Sequence, residues 1–171
     1  GLTANFRSKR EHMADTSDDI VFMTATEQSR LIRERKLSPV ELLRASLSRI
    51  ERWNPVLRAY ITVLADSALA KARAAESEIA AGRWRGPLHG LPFGVKDQLN
   101  TRGIKTTLGS RLLADNIPDH DAAVIERLEQ AGAILIGKEN LHEFGKGGTI
   151  DFAYGQPRNP WNIKHNPASS S

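Results

Sequence analysis

Lys96 is the residue in this sequence best placed to do chemistry. It ends the apolar stretch Leu91-Pro-Phe-Gly-Val95 and is followed by Asp97. An ammonium at the end of a buried strand is costly to desolvate, and burial favours the free amine, the state a lysine needs to act as a base. The same position suits a lysine that reaches water along its own stem or pairs with Asp97, and position alone favours that plainer role. The run Ser169-Ser170-Ser171 is a second candidate. Its hydroxyls could serve as a nucleophile or a proton relay on a tight turn, although serine-rich segments more often act as flexible linkers. Gly145-Lys-Gly-Gly148 could bring backbone close to a phosphate or a substrate, or be no more than a turn. The other polar groups offer less. Histidines 12, 89, 120, 142 and 165 lack metal-ligand spacing, and His142-Glu143 is not part of an HExxH helix. Gly137-Lys138 resembles the end of a phosphate loop, but Glu139 stands where Ser or Thr is required. Trp161, in Asn159-Pro-Trp-Asn162, reads as a packing anchor under a loop.

The elements that must hold these groups fall into two parts. Residues 24–81 are helical. Thr24-Ala-Thr-Glu27 has the form of a capping box and opens a short helix to about Lys36. Ser38-Pro39-Val40-Glu41 combines a cap, a proline at the first helical position and a glutamate three residues on. Val40, Leu43, Leu47 and Ile50 then repeat at helical spacing until Asn54-Pro55, which predicts a stop. Leu57–Val63 reads as a short strand. Asp66 caps a third helix, closed by Gly82. The character changes at Gly86. Leu91–Val95 predicts a buried strand with Pro92 at its start, and Asp119 or Asp121 caps a helix that Gly132 ends. Ala133–Ile136 predicts a second strand, so that strand, helix and strand form a βαβ unit of an α/β protein. Gly145–Ser171 carries Gly and Pro without periodicity, which in a compact domain marks a functional loop. Together these features predict the front part of a longer protein, with residues 86–171 starting its core.

Composition removes several function classes. The 171 residues include no cysteine, which excludes disulfides, thiolate metal sites and cysteine nucleophiles. No apolar run approaches the ~20 residues of a membrane helix. The net charge of +4 is scattered among acidic residues, which argues against a nucleic-acid groove. Residues 1–12 read as a leader left by cloning ahead of an initiator Met13, and Arg7, Lys9 and Arg10 against Glu11 give that leader half of the net charge. No secretory signal follows Met13, so a cytoplasmic protein is expected.

Five segments occur in order: Gly86-Pro-Leu-His-Gly-Leu-Pro-Phe-Gly-Val-Lys-Asp97; Thr106-Thr107 with Gly109-Ser110; Ala131-Gly-Ala-Ile-Leu-Ile-Gly-Lys-Glu-Asn140; Glu143-Phe144; and Asn159-Pro-Trp-Asn162 before His165-Asn-Pro-Ala-Ser-Ser-Ser171. Over residues 24–171 the chain resembles the amidase signature family of serine hydrolases. The resemblance implies a large mixed β-sheet core flanked by helices, present here as an incomplete N-terminal part of one domain spanning 13–171. It also implies a Ser–cis-Ser–Lys triad, with Lys96 as the catalytic lysine and Ser170 as the bridging serine. Ala168 and Ser169 stand where the family usually has glycines, so a shift by one makes Ser169 or Ser171 the bridge. The nucleophilic serine would lie a short way beyond residue 171. Gly147 and Gly148 fall in the segment that lines the acyl side of the substrate pocket. The implied activity is hydrolysis of a small-molecule carboxamide through an acyl-serine, with no metal, cofactor, membrane or direct nucleic-acid contact, and a homodimer is compatible with it. A free-standing amidase is the favoured reading, because Gln98 stands where the alternative, the amidase subunit of a glutamine-dependent tRNA amidotransferase, commonly has Asn. A non-catalytic binding protein on the same scaffold is a third reading.

Overall fold

The computed structural model describes residues 19–146 and 152–167. Helix α1 spans Ala25–Arg33, and Thr24 Oγ1 accepts from the Glu27 N–H at 3.2 Å, one half of the expected capping box. Helix α2, Pro39–Leu57, starts as its sequence requires: Ser38 is extended and its Oγ accepts from the N–H groups of Val40 (3.0 Å) and Glu41 (3.2 Å). A cap of this kind is worth about 1 kcal/mol. The helix does not stop at Asn54-Pro55. Pro55 sits inside its last turn, and the helix ends where Arg58 turns left-handed at φ 51°. Pro55 cannot donate to Glu51 O, so the last turn lacks one bond of the ladder, and the helix runs only to Leu57 beyond it. Asn54 instead clamps the next element, its amide donating to Tyr60 O at 3.1 Å and accepting from Tyr60 N–H at 2.8 Å.

Strand β1 is Tyr60–Val63 and helix α3 is Ala65–Ala80. Asp66 does not cap α3. The helix starts a residue earlier, and Asp66 lies in its first turn, where a negative charge favours the N-terminal end of the helix dipole. Gly82 closes it at φ 80°, with its N–H on Ile79 O. Strand β2, Pro92–Lys96, does begin at the proline. Helix α4, Ala123–Gln130, is capped by neither aspartate. Asp121 accepts from the Arg102 N–H at 2.6 Å and Asp119 faces His120 at 2.7 Å, so both acids hold the loop that precedes the helix.

Strand β3, Ile134–Glu139, runs three residues past the expected end at Ile136 and takes in Gly137 and Lys138. It is the central strand of a mixed sheet in the order β1–β3–β2, antiparallel to β1 and parallel to β2. β2, α4 and β3 thus form the expected βαβ unit. A register shift at Phe93/Gly94 places Gly94 beside Gly137, Val95 beside Lys138 and Lys96 beside Glu139. One sheet face, with Ile134 and Ile136, packs on α2 and α3 through Val40, Leu43, Ala68 and Ala72; the other, with Val95 and Leu135, packs on Ile125 of α4. Fully buried side chains such as Leu43 and Ile125 contribute roughly 1.5–3 kcal/mol each. Residues 152–167 form turns and one isolated bridge, Asn159 to Asn162. Trp161 is not the packing anchor its setting suggested. The residue is 95% exposed.

Candidate functional site

Lys96 is the last residue of β2 and is partly buried. Alternation along the strand puts it on the same face as Gly94. Its carbonyl accepts from the Leu99 N–H at 3.1 Å, and the next peptide is tied to the central strand by Asp97 N–H to Glu139 O at 2.9 Å. On this face Tyr60 and Glu139 close over the two glycines: a Cβ on Gly94 would meet the Glu139 carboxylate and the Tyr60 hydroxyl, and one on Gly137 would meet Thr62 O and the Tyr60 ring. Burial raises the Glu139 carboxyl above its ordinary range. Burial, with Glu139 alongside, pushes the Tyr60 phenol up to about 12.

Among the described residues, the fully buried lysine is a different one. Lys138 leaves β3 on the opposite face, and neither it nor Asp97 is exposed to solvent. Its Nζ donates to Leu99 O at 2.9 Å, Thr101 Oγ1 at 2.8 Å and Thr106 Oγ1 at 2.8 Å. Those three acceptors use the three protons of an ammonium. Asp97 Oδ1, 3.2 Å from the same nitrogen, therefore receives its charge without an aligned proton, and is a buried oxygen with no hydrogen bond of its own. Asp97 Oδ2 accepts from Thr107 N–H at 2.9 Å and Thr107 Oγ1 at 2.5 Å. Burial lowers the Lys138 amine below its ordinary range, and the Asp97 carboxylate opposes that shift. Hydrogen bonds to the remaining donors and acceptors repay part of the desolvation of so dry an ion pair, and all but Asp97 Oδ1 have them here.

The sequence reading missed Lys138 because it ended the strand at Ile136. The signal was present in Ala133-Ile-Leu-Ile-Gly-Lys138, where a lysine continues an unbroken apolar run and must find partners inside the fold. The plainer role for Lys96, a pair with Asp97, is not the arrangement seen: that carboxylate faces Thr107 and Lys138. Ser169, Ser170, Ser171, Gly147 and Gly148 lie outside the described residues. Gly145, two positions before Gly147, has φ 66° and packs on the Gln98 side chain, which brings the start of the glycine loop beside the residues that follow Lys96. Phe144 N–H donates to Leu108 O at 2.7 Å, a further tie between this segment and the loop after β2. Among the described residues no three His, Asp or Glu side chains converge to hold a metal ion.

The profile of the family described as Amidase matches residues 41–171. The chain belongs to the amidase signature family. Among curated relatives, the amidase signature chain is 44% identical over 154 residues to the glutamyl-tRNA(Gln) amidotransferase A-subunit of Dehalococcoides mccartyi, covering 90% of this chain and 32% of that protein. It is 42% identical over 154 residues to the protein of the same name from Acidothermus cellulolyticus, covering 90% of this chain and 30% of the relative. Among solved structures, the native peptide amidase of Stenotrophomonas maltophilia superposes with a TM-score of 0.80 at 36% identity, over 87% of this chain and 32% of that one. The chain thus spans about a third of the length of the relatives it matches.

Proposed function

We propose that the protein to which this chain belongs hydrolyses a carboxamide C–N bond through an acyl-serine, and that its amide is the side chain of glutamine, consumed as an ammonia donor by a tRNA amidotransferase. The observation that carries the choice of substrate is the 44% identity to an amidotransferase A-subunit, against 36% to the peptide amidase. In this reading a serine beyond residue 171 attacks the amide carbon. Its proton passes through the Ser170 hydroxyl to the Lys96 amine, then returns to the departing nitrogen so that ammonia leaves. Water enters by the same relay and frees the acid. The commitment of Asp97 to Thr107 and Lys138 supports Lys96 as the base, because it takes the adjacent carboxylate out of competition for the amine. Gly147 and Gly148 would give the substrate close backbone approach. Partner subunits, tRNA and a cytoplasmic location go with this assignment.

A free-standing amidase is the second reading, favoured by Gln98 and by the likeness to the peptide amidase. Ammonia release from glutamine by the whole protein, measured with and without partner subunits, separates the two. Turnover that needs the partners supports the amidotransferase, and equal turnover of simple amides without them supports the free enzyme. In either case Lys96→Ala is expected to abolish amide turnover near neutral pH. Activity within tenfold of the parent would remove Lys96 from the role of base.

A further inference from the structure

We propose that Lys138 is a positioning residue for this reaction: its buried ammonium fixes the backbone turn that carries Lys96. The inference rests on Lys96 being the base. Its support is a chain of bonds through residues 96–108. Lys96 O accepts from Leu99 N–H, and Leu99 O accepts from Lys138 Nζ, so the amine pins the far end of a turn whose near end is the Lys96 carbonyl. Asp97 is held at every polar group but one oxygen, and that oxygen faces Lys138. Its N–H is on Glu139 O, its carbonyl takes the Leu108 N–H at 2.9 Å, and Oδ2 takes two bonds from Thr107. Thr101 and Thr106 draw the rest of the loop onto the same nitrogen.

Lys138 reaches Lys96 through this backbone and not by contact. The register sets Lys138 beside Val95 and Glu139 beside Lys96, so the two lysines leave opposite faces of the sheet. The side chain also suits the task. A compact ammonium offers three rotatable donors to three oxygens, which neither the planar fork of Arg nor an apolar stem reproduces. Stability alone is a weak reason to keep such a pair, since buried ion pairs are often replaced by apolar residues at no loss.

A misplaced base slows an amide more than an ester, because only the amide nitrogen depends on receiving a proton as it leaves. The test therefore measures kcat and KM for a γ-carboxamide and the matching γ-methyl ester, using the whole protein with any partner subunits its turnover needs. A folding defect lowers both rates together and leaves their ratio unchanged. Lys138→Met is expected to lower amide kcat about 100-fold with KM within threefold, and to lower the amide-to-ester ratio at least tenfold, in the same direction as Lys96→Ala. Thr101→Val keeps the charge and removes one acceptor, and is expected to shift the ratio about threefold; it decides the matter should Lys138→Met not fold. An unchanged ratio in whichever of these variants folds, beside a shifted one in Lys96→Ala, would overturn the positioning role. Loss of the Lys96→Ala effect itself would instead overturn the base assignment.

Discussion

Burial pushes two neighbouring side chains of β3 toward their neutral forms, and they differ in what opposes it. Lys138 is fully enclosed and remains supplied with acceptors, whereas the Glu139 carboxyl is raised chiefly because burial disfavours its charge. A carboxyl whose folded pKa lies above its unfolded value of 4.5 binds its proton more tightly in the folded state. The stability this gives is fully present below pH 4.5 and is lost as pH rises through the folded pKa. At neutral pH Glu139 is thus a cost to the fold. Glu139→Gln in the whole protein is expected to raise Tm by about 2 °C or more at pH 7 and to match the parent at pH 4. A variant that melts lower than the parent at pH 7 would show that the charge is held favourably. Sequence could place Lys96 at the end of an apolar strand, where the structure has it. It could not rank Lys138 above it, since which lysine is enclosed depends on Thr101, Thr106 and Leu99 folding back over β3 from more than thirty residues upstream.

The elements repeat that division between local and distant information. Ser38-Pro39 and Gly82 set helix ends through bonds within a few residues, and these were legible. Asp66, Asp119 and Asp121 have the right side chain for a cap but lie in a first turn or a loop, because strand and loop geometry fixes where each helix begins. Asn54-Pro55 shows the difference most clearly. Read locally it ends a helix; in the fold its amide makes a two-bond bracket between the end of α2 and the first residue of β1. Asn54→Ala is expected to destabilise the whole protein by about 1–3 kcal/mol, since it leaves both polar groups of Tyr60 without these partners. Asn54→Asp, which keeps the acceptor and loses the donor, is expected to cost less. Denaturant midpoints and exchange of the Tyr60 amide measure both. Midpoints that match the parent in Asn54→Ala would mean that the sheet alone aligns β1.

At the scale of the molecule, the sequence had enough periodicity to predict a βαβ unit in a mixed α/β fold. The unit alone makes a narrow sheet. Three strands stand in the order β1–β3–β2, and among the described residues β1 and β2 each pair on one side only. Only β3 has its backbone donors and acceptors engaged on both edges, which explains why its residues are the most continuously buried of the three strands. Apolar surface is also left bare, with Leu112 86% and Trp161 95% exposed. Open edges and exposed aromatic or aliphatic groups favour association with other surfaces. Prepared by itself, the 171-residue chain is therefore expected to bind an apolar dye such as ANS, to self-associate, and to melt without a sharp transition. The whole protein should do none of these, because the remainder of an amidase signature domain would pair the edges and cover the apolar groups. A monomeric 171-residue chain with a cooperative melt and no dye binding would instead make the β1–β3–β2 unit and its helices a domain that folds on its own.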